Sequence, residues 1–318
     1  MERGVLHPLI HVALGTANIL GLAEGDPQVR PGTAHIMNGG KCAYNCAYCT
    51  RARTSQAPGE YLCRVPWPAH DEERVYEALA ERQDEFSRIC VQIVNSEGHI
   101  QEASKYVERM NDISSLPISV EMRTRKMEDV ETLLKIGAEY VGLPLDVASR
   151  ELYPDLRGGS MEGDLDFLFE ANGLFEGRIG THVIVGLGET EKEMVEVMEQ
   201  IVAREIPIGL FAFTPCRGTR MEKSHPPSLS QYRNIQLAKY LITSQRGEGI
   251  SFDNRGAILS FGPEGTELEA IPPEVFKTQG CEGCNRPYYN ERSTGRPYNY
   301  PRDLTESEFQ MELQETCK

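Results

Sequence analysis

Short apolar runs rich in β-branched residues alternate along the chain with longer segments whose apolar residues recur every three or four positions. The short runs are typical of buried strands and the long segments of amphipathic helices. We predict strands near residues 33–38, 88–94, 117–123, 140–145, 181–186, 207–213 and 249–254. We predict helices between them, near residues 71–86, 100–112, 127–136, 162–173, 190–204 and 228–246. Thr190, with Glu193 three residues later, predicts a capping box at the start of the fifth helix. The alternation predicts an α/β fold, a TIM-like (β/α) barrel that is complete or partial.

Two segments flank the predicted barrel of residues 33–262. Residues 1–32 form an N-terminal extension, in which the apolar stretch 6–23 predicts a buried helix that covers the core. Residues 263–318 form a C-terminal tail rich in Gly, Pro, Asn and Tyr, without regular periodicity. Such a composition is typical of irregular structure. We expect a ligand, or packing on the mouth of the barrel, to organise this tail.

The charge and the cysteines exclude several classes of protein. The chain carries a formal net charge of -15, so the basic surface of a nucleic-acid binder is missing overall. Neither a membrane-spanning helix nor a secretory signal is predicted. The nine cysteines cluster at short spacings instead of being spread along the chain as a disulfide framework would be. We therefore expect a cytoplasmic protein whose cysteines bind metal.

The alternation of side chains along a strand predicts which residues face the interior of the barrel. The outer face of each strand packs against helices and is apolar, so the more polar set points inward. In three of the predicted strands, the inward set is Cys90, Gln92, Ser119, Glu121, Arg123, Ser251, Asp253 and Arg255. Buried charges are costly unless they are paired. An interior with these side chains therefore predicts a polar ligand.

Cys42, Cys46 and Cys49 follow the first predicted strand directly, at the end of the strand where barrel enzymes place their sites. Thiolates are the ligands of iron–sulfur clusters, and three of them leave one iron of a 4Fe-4S cluster open. A zinc site is the alternative, but no fourth Cys or His lies nearby at ligand spacing. The motif resembles the signature of the radical SAM superfamily. The resemblance implies that S-adenosylmethionine (SAM) binds the open iron and is split into methionine and a 5'-deoxyadenosyl radical.

The same resemblance implies which residues bind SAM. Tyr48 matches the aromatic residue that packs on adenine. Residues 183–189 resemble the strand-five motif that contacts adenine in biotin synthase, and they include Val185, Gly186 and Glu189. A plain strand-to-helix turn is the alternative reading of this segment. Asp146 aligns with positions that hold the ribose.

Asn95 and Ser96 occupy the place of the residues that bind the SAM amino group, although the usual Gly-Gly-Glu is not present. Residues 213–219 are similar to the end of strand six in the biotin synthase group.

Cys281 and Cys284 form a second tight thiolate pair, in the tail. A zinc or structural knuckle is one reading. An auxiliary iron–sulfur cluster is the other, with Cys90 as third ligand, because biotin synthase also places a cluster cysteine on its second strand. Met122 and His182 stand near the positions of the other two barrel cysteines of biotin synthase, which argues against biotin synthase itself.

Arg255 resembles the arginine that touches the auxiliary cluster of biotin synthase, and on this ground it joins the three loop cysteines as a candidate catalytic residue. Pairing with Asp253 or Glu121 is an equal alternative. We expect Cys63 and Cys216 to be packed as small hydrophobes. Cys317 lies next to the end of the chain.

The whole-chain pattern is similar to the two-component lipoyl synthases. The resemblance implies sulfur insertion into an unactivated carbon of a protein-bound octanoyl chain, with the auxiliary cluster as sulfur source. It also implies three partners, namely a related radical SAM subunit in a heterodimer, an octanoylated lipoyl carrier protein or domain, and ferredoxin or flavodoxin as electron donor.

Three alternatives stay open from the residues alone. A biotin-synthase-like sulfurtransferase would act on another substrate, and a radical lyase or mutase would act on a free amino acid clamped by Glu121, Arg123 and Arg255. An iron–sulfur electron carrier or scaffold would explain the cysteines but not the SAM-like positions.

Overall fold

A computed structural model of the protein describes residues 8–262, 271–287, 289 and 294–316. Within these residues the strands are β1 Leu9–Val12, β2 Thr33–Met37, β3 Tyr61–Leu62, β4 Val65–Pro66, β5 Ala69–Asp71, β6 Arg88–Gln92, β7 Ile118–Glu121, β8 Tyr140–Gly142, β9 Ile179–Val185, β10 Ile208–Ala212, β11 Ser251–Phe252 and β12 Ile258–Ser260. The α-helices are α1 Leu14–Ile19, α2 Glu72–Arg82, α3 His99–Ile113, α4 Met127–Lys135, α5 Tyr153–Leu156, α6 Met161–Leu174, α7 Glu191–Val202, α8 Leu229–Thr243 and a C-terminal helix, Glu306–Leu313. Short 3-10 helices cover Gln83–Glu85 and Pro273–Phe276.

A parallel sheet forms the centre of the molecule. Its strands follow the order β10-β9-β8-β7-β6-β2, and antiparallel β1 and β5 extend it beyond β2. Every neighbouring pair from β2 to β10 is parallel, and α2, α3, α4, α6 and α7 connect successive strands. In the described part of the chain the sheet ends at β10 on one side and at β5 on the other. The predicted TIM-like barrel is therefore confirmed in its partial form.

Local signals in the sequence start the helices where they are observed. The Thr190 hydroxyl accepts a hydrogen bond from the backbone N–H of Glu193 at 3.1 Å, and the Glu193 carboxylate accepts one from the N–H of Thr190 at 2.8 Å. This is the predicted capping box. Ser160 and Ser228 cap α6 and α8 with single hydrogen bonds. Such caps satisfy N–H groups that have no partner inside the helix.

The prediction of a seventh barrel strand at 249–254 is wrong. β11 pairs antiparallel with β12 in a separate two-stranded ribbon. The Asp253 carboxylate accepts hydrogen bonds from the N–H groups of Arg255 and Ala257, each at 2.8 Å, and Gly256 follows with φ +81°. Asp and Gly at these positions make a tight turn that overrides the short apolar run. Ser251, Asp253 and Arg255 therefore do not line the interior, and Arg255 is exposed.

The N-terminal prediction needs a similar correction. The stretch 6–23 is not one helix, because Leu9–Val12 pairs with β2 and β5 and only Leu14–Ile19 is helical. Ile10 and Val12 are buried while Leu9 is exposed. This alternation is the signature of a strand with one covered face. Residues 6 and 7 lie outside the described residues.

The tail packs on the end of the barrel where the parallel strands begin. The Asn285 carboxamide oxygen accepts a hydrogen bond at 2.9 Å from the N–H of Gly32, which precedes β2. The Ser87 side chain, just before β6, and Gly32 both border the Gly283 backbone. The loop with Cys281 and Cys284 therefore covers the amino ends of the strands. Of the two predictions for the tail, packing on an end of the barrel agrees with the structure, and this end lies opposite the cysteine loop.

Candidate functional site

The three loop cysteines lie on a segment held to the carboxyl ends of the strands by backbone hydrogen bonds. Asn38, just after β2, bonds both backbone groups of Val94, at 2.6 Å and 2.9 Å. The N–H of Ala43 donates to the Asn95 carbonyl at 2.7 Å, and the N–H of Cys42 donates to the Arg51 carbonyl at 2.9 Å. These contacts fold the segment on itself, and they explain how a loop without regular structure keeps a defined shape.

The thiols of this loop fit an iron–sulfur cluster. Burial raises the pKa of Cys46, and burial together with the neighbouring Cys46 raises the pKa of Cys49 to about 12. Adjacent buried thiols are therefore protonated by themselves, whereas a coordinating metal deprotonates them outright. Among the described residues, no three Cys, His, Asp or Glu side chains lie close enough together to hold a single metal ion. A cluster differs in this respect, because each thiolate bonds to its own iron.

Asp146 is the centre of a charged network next to Cys49. Its carboxylate accepts a hydrogen bond from the Tyr48 hydroxyl at 2.6 Å, forms an ion pair with Arg157, and contacts His182 Nε2 at 2.9 Å. Burial would raise the pKa of Asp146, but Arg157 and the hydrogen bonds hold it well below its usual range. Its φ of +60° is unusual for a non-glycine residue. The network keeps a strained, ionised carboxylate in place beside the cysteine loop.

His182 carries this network into the interior of the barrel. Its Nδ1 lies 3.7 Å from the Glu121 carboxylate. Burial favours the neutral ring, but the bonds to Asp146 and Glu121 outweigh burial and raise the pKa of His182 to about 9. His182 is therefore a cation at neutral pH, which balances two carboxylates.

One cavity of about 250 Å³ is lined by residues from both ends of the barrel. Tyr48 and Cys49 lie at the carboxyl ends of the strands, and Cys281 and Cys284 at the amino ends. Ile184, Phe211 and Phe213 add apolar surface, and Glu121, His182 and Gln92 add polar groups. We call this space the lumen. It connects Cys49 of the cysteine loop to the second thiol pair.

The structure brings Cys90 together with Cys281 and Cys284. Cys90 is buried on β6, accepts a hydrogen bond from the Gln92 amide at 3.1 Å, and lines the lumen as strand parity predicts. Burial, then the charges of Glu121, Cys281 and Cys284, raise the pKa of Cys90 well above its ordinary value. Burial also raises the pKa of Cys281 to about 12. These three thiols have the donor chemistry that a second iron–sulfur cluster needs.

Three residues in and around the lumen escaped the sequence reasoning. Arg286 packs its guanidinium 3.8 Å from the ring centre of Phe211 and donates to the Gln279 carbonyl at 2.6 Å. The Tyr289 hydroxyl is buried and, within the described chain, has no hydrogen-bond partner. The third is Arg157, whose guanidinium forms the ion pair with Asp146. The sequence held a signal for two of them, because Arg286 and Tyr289 lie within five residues of Cys284, in the run Cys-Asn-Arg-Pro-Tyr-Tyr.

Several predicted SAM-binding residues support the site through the backbone. The Asn95 amide donates to the Arg123 carbonyl at 2.6 Å, and the Ser96 hydroxyl accepts from Asn38 at 3.3 Å. The Glu189 carboxylate accepts from the N–H groups of Gly186 and Leu187, at 2.7 Å and 2.9 Å, while burial raises its pKa to about 7.

Val185 is fully buried at the end of β9, directly before Gly186. Contacts of these residues with SAM stay predictions. Arg123, by contrast, does not line the lumen, because its guanidinium bonds the Arg157 and Gly158 carbonyls and Asp164 above it.

The sequence pattern of the Radical SAM superfamily matches residues 39–201, and the chain belongs to this superfamily. Its fold is similar to that of the FeFe-hydrogenase maturase HydG from Carboxydothermus hydrogenoformans, with a TM-score of 0.55 and 17% identity over 67% of this chain and 52% of that one. The fold is also similar to that of methylornithine synthase (PylB), with a TM-score of 0.53 and 15% identity over 67% of this chain and 62% of that one. For Streptococcus suis SuiB bound to S-adenosylmethionine, the TM-score is 0.53 and the identity 12%, over 70% of this chain and 50% of that one.

This chain therefore spans about half to three-fifths of the length of those structures. No curated protein matches it in sequence. Among the described helices, none has both the length and the apolar character needed to span a membrane.

Proposed function

We propose that this radical SAM enzyme inserts sulfur into an unactivated carbon of a protein-bound octanoyl chain, as one component of a two-protein lipoyl synthase. The observation that supports the proposal is the second thiol set. Cys90, Cys281 and Cys284 line the same lumen as Tyr48 and Cys49. A carbon positioned in that lumen would lie between the cysteines that would hold the SAM-binding cluster, at one end, and those that would hold the sulfur-donating cluster, at the other.

The chain supplies ligands and surroundings for two clusters. Cys42, Cys46 and Cys49 would hold the SAM-binding 4Fe-4S cluster, and Cys90, Cys281 and Cys284 the auxiliary one. When bound, the clusters supply the electron that cleaves SAM and the sulfide that enters the product. The protein keeps water from the reacting carbon by enclosing it between packed strands. The family resemblance implied that Arg255 touches the auxiliary cluster, but Arg255 is exposed on the β11–β12 turn. We assign this role to Arg286, the cation beside the tail thiols.

The apolar part of the lumen suits an alkyl chain. Ile184, Phe211 and Phe213 offer apolar surface to an unbranched chain. We propose an octanoylated lipoyl carrier protein or domain as substrate, a related radical SAM subunit as partner in a heterodimer, and ferredoxin or flavodoxin as electron donor. These partners follow from the family resemblance of the whole chain.

Cys281→Ala and Cys284→Ala test the proposal. Each variant is expected to form 5'-deoxyadenosine from SAM while losing sulfur insertion into an octanoylated carrier, because the two clusters have separate roles. The parent is expected to bind about eight irons per chain, as two four-iron clusters require. The matched control replaces Cys42, Cys46 and Cys49 together by alanine, which should remove deoxyadenosine formation and keep the auxiliary iron. Equal loss of both activities in the tail variants would contradict separate roles.

A second candidate is a radical lyase or mutase that acts on a free amino acid. The charges along the lumen favour it, because the Glu121 carboxylate suits an ammonium group and the cations His182 and Arg286 suit a carboxylate. Deoxyadenosine formation with dithionite separates the candidates. Stimulation by a free amino acid and not by an octanoylated carrier would support the second one.

A further inference from the structure

Two cysteines outside both thiol sets lie against each other. The Sγ atoms of Cys63 and Cys216 are 3.8 Å apart, although 153 positions separate the residues in the chain. Neither forms a disulfide in the structure. Nothing local in the sequence pairs them, and at this distance the two sulfurs are in van der Waals contact.

The backbone around Cys63 is held in an unusual conformation. Cys63 has φ +52°, in the connection between β3 and β4. Its N–H donates to the Thr50 hydroxyl at 3.2 Å, next to Cys49. A cysteine adopts this left-handed region at a cost and only when its surroundings hold it there. The Cys63 side chain lines the lumen, so a small reagent reaches it from that side.

Cys216 faces Cys63 from the other edge of the sheet. It follows β10, is buried, and its thiol contacts the Thr214 carbonyl at 3.3 Å. The hydrogen bond between the two thiols lowers the pKa of Cys216 and raises the pKa of Cys63. Cys216 is therefore the better first nucleophile of the pair, and Cys63 loses its proton only in the second step, when it attacks the mixed disulfide.

We propose that Cys63 and Cys216 are a redox-active dithiol that converts reversibly into a disulfide. With a small disulfide as oxidant, a thiolate of the pair attacks one of its sulfurs and releases one small thiol. The second protein thiolate then attacks the mixed disulfide and releases the other. The protein loses two protons and two electrons, which reduce the small disulfide to two thiols. The sulfurs must approach by about 2 Å to reach bonding distance.

The bond would join the two open edges of the partial barrel. β10 ends the sheet on one side, and the β3–β4 hairpin lies in the segment that leads from the cysteine loop to β5 on the other. The Gln56 N–H already donates to the Gly218 carbonyl across this gap at 2.8 Å. A disulfide there would make the contact covalent, so the state of the dithiol would control how freely the lumen opens beside the cysteine loop.

The test uses the cluster-loaded enzyme, equilibrated without oxygen in mixtures of 2-mercaptoethanol and its disulfide and then quenched with N-ethylmaleimide. Peptide mass analysis is expected to find Cys63 linked to Cys216 at oxidising ratios, and both alkylated at reducing ratios, with iron content unchanged.

Cys63→Ser and Cys216→Ser serve as matched variants, with circular dichroism to confirm that they fold. In each, the remaining cysteine is expected to carry one 2-mercaptoethanol adduct instead of a protein disulfide. Full alkylation of both cysteines at the most oxidising ratio would overturn the proposal, as would a disulfide that links either one to another cysteine. Neither result depends on which substrate the enzyme uses.

Discussion

At the scale of single residues, the lumen is organised by opposite charges that lie on different strands and loops. Asp146, after β8, lies between His182 on β9 and Arg157 at the end of α5. Removing water from charges costs free energy, and only close pairing offsets it. This balance makes His182 a group whose protonation the fold controls.

His182 is expected to make stability depend on alkaline pH. Its pKa in the folded protein, about 9, lies above the unfolded value. The stabilisation is therefore fully present below about pH 6.5 and is lost as pH rises through 9. We expect the contribution of His182 to the unfolding free energy, measured without cofactors as the difference between the parent and His182→Gln, to fall by on the order of 2–3 kcal/mol between pH 7 and 10. Urea titrations at each pH measure it. His182→Gln should flatten this part of the profile, and an unchanged slope would contradict the assignment.

Tyr289 offers a second prediction at this scale. Its hydroxyl is buried near Cys90 and Cys284 and has no partner in the described chain. A buried unsatisfied hydroxyl costs about 1–3 kcal/mol, and removing it is often neutral or stabilising. Tyr289→Phe is therefore expected to keep or raise the melting temperature of the protein without cofactors, as calorimetry would measure. Tyr140→Phe is a control in a second lumen tyrosine. A clear loss of stability in Tyr289→Phe would show that the hydroxyl has a partner in the free protein.

At the scale of elements, α7 connects β9 to β10 and starts directly after the Gly186–Glu189 turn. The capping box of Thr190 and Glu193 therefore orders both the helix and the turn. Thr190→Ala is expected to cost about 1 kcal/mol of unfolding free energy, because it removes an N-cap hydrogen bond. Chemical denaturation measures this loss.

Thr132→Ala is the matched control for that substitution. Thr132 lies inside α4, where its hydroxyl bonds back to the Glu128 carbonyl at 2.7 Å. Alanine is the better helix former at such a position, so stability should stay the same or increase. A similar loss from both substitutions would mean that the cap adds nothing beyond the side chain itself.

At the scale of the whole molecule, a buried ion pair holds the C-terminal helix to α8. Arg233 and Glu312 are both fully buried and 2.7 Å apart, and Arg296 and Tyr300 also bond the Glu312 carboxylate. Through this helix the tail that carries Cys281 and Cys284 is fastened to the barrel. A buried pair that loses one partner leaves an uncompensated charge.

Glu312→Ala is expected to destabilise the protein by about 3–5 kcal/mol. Urea denaturation measures the loss, and limited proteolysis is expected to cut the tail first. Glu306→Ala, at the exposed start of the same helix, is the control and should change little. If the two variants unfold at the same urea concentration, the tail is held by its apolar contacts alone.

The sequence by itself determined the elements and the first thiol site. The spacing of apolar residues located six parallel strands and their helices, because period and face are local properties of the chain. Strand parity also predicted correctly that Cys90 faces the lumen. The spacing of Cys42, Cys46 and Cys49 identified the superfamily. Where a turn residue competed with an apolar run, as at Asp253 and Gly256, the local pattern misled.

Only the tertiary structure decided which distant groups meet. It brought the tail thiols to the amino ends of the strands, paired Asp146 with His182 and Arg157, and set Cys63 against Cys216. Each of these contacts joins residues from separate elements, and packing and charge balance across the whole barrel select them. No window of neighbouring residues contains that information, since the free energy of such a contact depends on partners that the chain meets only after folding.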